Sequence, residues 1–137
     1  MKNKGFTLIE LLAVIVILAI IALIATPIIL GIINDARESA RKRSAELVKT
    51  GVQYAYTTAM YKDTNNVVTL DNLVTYFSTD NATAVKSGTE VHITTNDNVY
   101  CKVTETSTGS GLFRLSCGTA NNFSGTQYLN NVGIATK

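Results

Sequence analysis

Gly5-Phe6-Thr7-Leu8-Ile9-Glu10, followed by the apolar run from Leu11 to Ile33, decides how this chain is read. No charged side chain occurs between Leu11 and Ile33, and Ile, Leu, Val and Ala dominate. At ~1.5 Å per residue a helix of this length crosses the ~30 Å hydrocarbon core of a bilayer. A plain anchor leaves Glu10 unexplained, because a carboxylate at the edge of lipid is costly unless it meets a partner. The residue calls for a cation.

Ahead of the run stands Met1-Lys2-Asn3-Lys4-Gly5, a short basic leader ending in glycine. A secretory signal places its small-residue cleavage site after the apolar core, whereas here the candidate scissile glycine precedes it. A cut after Gly5 keeps the apolar helix on the product and creates a new amino terminus at Phe6. That amine is the cation expected for Glu10, on a neighbouring copy, since the first helical turn is expected to direct Glu10 away from its own terminus.

Lys4-Gly5-Phe6-Thr7-Leu8-Ile9-Glu10-Leu11-Leu12 with the apolar helix behind it resembles the class III signal of type IV pilins and pseudopilins. The resemblance covers about the first third of the chain, and beyond it extends only to architecture. It implies cleavage between Gly5 and Phe6 by prepilin peptidase, N-methylation of Phe6, and a homo-polymer assembled by an ATPase and a membrane platform protein. Phe6, Glu10 and Pro27 are the residues it marks for assembly. It further implies a single-pass membrane precursor, then a surface pilus serving adhesion to a host surface, motility or DNA uptake. The major pilin is the expected member, with a type II secretion or competence pseudopilin, or a minor pilin, as the alternative. A membrane-tethered domain that never polymerises is the reading outside the family. The short leader and the Lys/Asn/Ile-rich usage point to a Gram-positive source.

The expected fold is α+β: a long N-terminal helix packed on a small antiparallel sheet. The segments are a leader (1–5), an apolar helix (6–33), its amphipathic continuation (34–62), and a head (63–137) with a short helix, a loop and strands. The chain has 137 residues, about one domain. Its formal charge is +2, but without Lys2 and Lys4 ten basic side chains face ten acidic ones, so the basic isoelectric point is no sign of nucleic-acid binding.

Pro27 removes the helical bond to the carbonyl of Leu23, which predicts a kink or local unwinding with Thr26 as a candidate helper. The resemblance implies a stretched segment near this proline in the filament, although this chain has Ala19 where the family frequently has glycine. Between Asn34 and Lys62, Ala36, Ala40, Leu47, Gly51, Tyr54, Ala55 and Thr58 recur at helical spacing and are expected to form one packing side. A single helix from about Phe6 to about Lys62 would be roughly 85 Å long. Arg41-Lys42-Arg43 reads either as a group for the membrane surface or neighbouring acids, or as a solvated helix face.

Asp63-Thr64-Asn65-Asn66 ends the helix. Thr69 or Asp71 is expected to cap a short helix that turns Leu70, Leu73, Val74 and Phe77 inward, and residues 78–88 read as a loop. Glu90 to Cys117 reads as three antiparallel strands, with turns at Asn96-Asp97-Asn98 and Ser107 to Gly111. Cys101 and Cys117 are equidistant from Gly109, so a hairpin centred there sets them opposite each other. Both a disulfide and a pair of buried thiols fit that placement. The tail keeps Phe123, Tyr128, Leu129, Val132 and Ile134, which argue that it packs back on the sheet or helix.

No catalytic motif is present, so no enzyme activity and no cofactor are expected. His92 is the only histidine, which disfavours zinc, and Asn96-Asp97-Asn98 reads as a turn more readily than as a calcium loop. Two sequons, at Asn81 and Asn122, are assigned no function.

Overall fold

The computed structural model describes residues 4–63, 67–107, 109–119 and 125–134. Its elements are α1 (Leu8–Lys62), α2 (Leu70–Tyr76), β1 (Ala82–Ser87), β2 (Glu90–Thr95), β3 (Tyr100–Glu105), β4 (Phe113–Gly118) and β5 (Gln127–Ile134). This is the expected α+β class: a long helix with an apolar first half, and one antiparallel sheet. The chain divides into two compact units, Met1–Glu38 and Ser39–Lys137.

The first unit is helix from Leu8 onward, two residues later than expected, and every large apolar side chain from Leu8 to Ile33 is exposed. The helix runs on through Pro27. Thr26 does not serve the carbonyl that Pro27 leaves open. Its hydroxyl donates to the carbonyl of Ala22 at 2.6 Å, four residues back, rather than to that of Leu23.

In the second unit the sheet has five strands in the order β1-β2-β3-β4-β5, each antiparallel to the next. The expected three strands are β2, β3 and β4. Two further strands lie at the edges. The stretch read as a loop at 78–88 contains β1, in full register with β2 from Ala82 opposite Thr95 to Ser87 opposite Glu90. Its inward positions hold only Ala82 and Ala84, too small to produce a visible apolar alternation. The connection is the two residues Gly88-Thr89, and Gly88 has φ +59°, a conformation that glycine adopts without steric cost.

The tail forms β5, which pairs with β4 and carries Leu129 and Ile134 into the core. Its register shifts beside Cys117, and Asn131 has positive φ, so the alternation is broken. Phe123 and the Asn122 sequon lie outside the described residues.

The core joins one face of α1 to one face of the sheet. Ala45, Val48, Val52, Ala55 and Ala59 are buried with Val91, Ile93, Val103, Phe113 and Leu115. Tyr56 meets Phe113 edge-on, with ring centroids 6.0 Å apart. The packing face therefore differs from the expected one. Ala55 is in the core and Gly51 lies against Phe77 and Thr79, ahead of β1, but Leu47 and Tyr54 are exposed. Small residues on this side of α1 let its neighbours approach closely. At Gly51 a Cβ would lie 2.8 Å from Thr79 Cγ2 and 3.0 Å from the Phe77 ring.

Helix α2 begins at the expected cap. The Thr69 hydroxyl accepts from the Asn72 N–H at 3.3 Å, and Leu70 and Leu73 are buried. Lys86 of β1 pairs with Asp71, tying α2 to the sheet edge.

Candidate processing and assembly site

Residues 4–7 precede the helix, and the bonds that close its first turn run to Thr7, one residue beyond the Gly5–Phe6 bond. Gly5 has no heavy atom within 4 Å of where a Cβ would stand, and Phe6 is 92% exposed. A peptidase needs its scissile bond reachable, and that condition holds here.

Glu10 is exposed but already has a partner within its own chain. The Thr7 N–H donates to Glu10 Oε2 at 2.9 Å, and the Glu10 N–H donates to Thr7 Oγ1 at 3.3 Å. This is a capping box, which satisfies two backbone donors that the first helical turn would otherwise leave open. The expectation that the first turn leaves Glu10 facing away from its own end is thus corrected: its carboxylate folds back onto Thr7. Sequence reasoning missed Thr7. The signal was present, since Thr-x-x-Glu immediately before an apolar run is the pattern of a helix start.

Pro27 lies inside α1 on an apolar, uncovered stretch. The helix is long and apolar enough to cross a membrane, and none of its most apolar segment is buried. Gly5, Phe6, Thr7, Glu10 and Pro27 all belong to the first unit.

Cys101 and Cys117 belong to the second unit, directly opposed in the β3–β4 register and joined by a disulfide. Both are buried, so the bond is part of the core. Of the two readings left open by the sequence, the structure gives the disulfide.

The basic run is split in use. The Arg41 guanidinium donates to the carbonyl of Asp97 at 3.3 Å, while Lys42 and Arg43 are exposed. Asp97 also accepts from the Ser44 hydroxyl, so the Asn96-Asp97-Asn98 segment is a turn held against α1, with Asn98 at φ 57°. His92 is on the surface, with Nε2 3.2 Å from Glu90. Glu90 also accepts from Lys102 at 3.3 Å. The His92 contact, the largest effect, holds the Glu90 carboxyl below the usual carboxylate range; burial opposes it, and Lys102 adds to the lowering after that.

Residues 1–26 match the family described as Prokaryotic N-terminal methylation motif. No curated protein and no solved structure matches the chain. The motif implies processing by prepilin peptidase and dealings with pilus assembly machinery in general. Its combination with an exposed apolar helix fits a membrane-anchored precursor that becomes part of a surface pilus. Residues 1–26 carry the methylation motif of a class III prepilin signal, and the long helix with an antiparallel sheet is an α+β, type IV pilin-like architecture.

Proposed function

We propose that this chain is the major structural subunit of a type IV pilus. The observation that carries the reading is a methylation motif whose apolar helix is bare along its whole length and opens with Glu10. Such a helix has two stable settings, a bilayer or a bundle of its own kind. Prepilin peptidase cuts between Gly5 and Phe6, Phe6 is N-methylated, and the bilayer holds the product by its helix. An assembly ATPase and a membrane platform protein then move it into a homo-polymer, where lipid contact is exchanged for helix packing.

In that setting Glu10 leaves Thr7 for the Phe6 amine of a neighbour. Two charges brought together in apolar surroundings offset each other's desolvation and fix the register between copies. Pro27 is the point at which the helix stretches, because one backbone bond is already missing there. The role is structural and not enzymatic, serving adhesion, surface motility or DNA uptake. Imaging of material sheared from cells tests the reading: it expects thin fibres with this polypeptide as their bulk component. Fibres built from another subunit, with this chain only a trace, would favour the pseudopilin or minor-pilin alternative.

A further inference from the structure

Within the second unit, residues of α1, of the segment leading into β1 and of the end of β2 line a recess of about 180 Å³. Leu47, Val48 and Ala82 supply apolar lining, while Thr79, Asp80 and Asn81 supply polar groups. Two further hydroxyls in the wall are already engaged: Ser44 donates to Asp97, and Thr95 accepts from the Val99 N–H at 3.1 Å. Thr79 is the exception. Its Oγ1 is buried and has no hydrogen-bond partner among the described residues. A buried hydroxyl left unpaired costs stability, and an apolar side chain of the same shape would avoid that cost, so its presence asks for a partner from outside the chain.

We propose that this recess binds one uncharged pyranose unit of a glycan. Its volume is the share of roughly six liquid waters at ~30 Å³ each, which admits one sugar ring and is too small for a ligand of drug size. A pyranose carries C–H groups on its faces and hydroxyls around its edge, the same mixture of apolar and polar chemistry that the wall offers. The Asp80 carboxylate accepts from sugar hydroxyls, and the Asn81 amide and Thr79 hydroxyl both donate and accept. Asp80 and Asn81 are exposed, on a connection that runs over the surface, where a ligand reaches them directly. Thr79 joins them by turning about its Cα–Cβ bond, one staggered position to another. No lysine, arginine or histidine lines the recess among the described residues, so acidic sugars and phosphates would meet Asp80 without a cation to offset it.

The proposal is separate from the polymer reading, and the monomer is enough to test it. The full chain is held in a detergent without a sugar head group, and saturation-transfer NMR is recorded with the methyl glycosides of glucose, galactose, mannose and N-acetylglucosamine. At least one of the four is expected to bind. Thr79→Val should weaken that binding at least tenfold without lowering the thermal midpoint, whereas Thr79→Ser, which keeps the hydroxyl, should bind as the wild type does. Asp80→Ala, at an exposed position, should weaken it as well, and provides the reading if Thr79→Val does not fold. Binding of none of the four glycosides, or binding that survives Thr79→Val or Asp80→Ala unchanged, would overturn the proposal.

Discussion

Thr7 and Glu10 hold each other at the start of α1 through two reciprocal hydrogen bonds, 2.9 Å from the Thr7 N–H to the Glu10 carboxylate and 3.3 Å from the Glu10 N–H to the Thr7 hydroxyl. The carboxylate at the edge of the apolar run is thereby satisfied before any neighbour arrives. Thr7→Val removes the hydroxyl half of the box and should cost about 1 kcal/mol of helix-end stability, with membrane insertion unchanged. Glu10→Ala should also insert, but should assemble poorly in cells lacking wild-type subunits. Filament yield from the two variants checks this: abundant fibres from Glu10→Ala alone would contradict the charge pairing between copies.

In the proposed processing, Gly5 sets what the peptidase must admit on the leader side of the cut. Gly5→Ala should be processed at a modestly reduced rate and Gly5→Val should remain uncut. Pulse labelling followed by separation of precursor from product reads the two rates, and normal filaments from Gly5→Val would refute the assignment.

Gly51 of α1 lies against the segment leading into β1. Gly51→Val places a branched side chain against Thr79 and Phe77, where even a Cβ meets atoms at 2.8 and 3.0 Å. Overpacking of this kind costs about 1–3 kcal/mol, seen as a lower thermal midpoint of the detergent-solubilised chain. Gly31→Ala, where nothing lies within 4 Å, should leave that midpoint unchanged or raise it.

The disulfide closes a loop spanning 16 positions between two central strands. Chain-entropy accounting gives about 3 kcal/mol for a loop of this length. The Cys101→Ala, Cys117→Ala double variant should therefore unfold at lower denaturant concentration than the wild type. A reductant should lower the midpoint of the wild type and leave that of the variant where it is.

Glu90 gives the sheet a pH dependence. Its carboxyl is held below the ordinary range by His92 and then Lys102, so its contribution is present above the unfolded carboxylate pKa and is lost as pH falls through the lower folded value. The pair with Lys102 is partly exposed, about a third for each side chain, so the effect is small. Urea midpoints of wild type and Glu90→Gln should differ near neutrality and converge below the ordinary carboxylate range. A gap that persists in acid would show that the charge is not its source.

How much of this was legible in the sequence varied with how strongly each element is patterned. Val91, Ile93, Cys101, Val103, Phe113 and Leu115 alternate cleanly because their strands lie inside the sheet and bury one face, so β2 to β4 could be read directly. The edge strands could not. In β1 the inward residues are alanines, and in β5 a register shift and Asn131 break the period. Only Gly88-Thr89, a two-residue glycine connection, hinted at the first hairpin.

On α1 two apolar stripes compete for one sheet. The larger residues, Leu47 and Tyr54, suggested the wrong one, because close approach favours Ala45, Gly51, Ala55 and Ala59. At the site, Gly5, Phe6 and Glu10 were readable from local order, and Thr7 was equally readable from its spacing to Glu10.

In the proposed cycle, a cut behind Gly5 turns a membrane-held helix into the core of a polymer. The most direct test is the intact mass of the subunit in fibres sheared from cells that contain the peptidase. A chain beginning at N-methylated Phe6, as the bulk component of those fibres, is the predicted result. A subunit that still begins at Met1 and is found only as a membrane-bound monomer would contradict it.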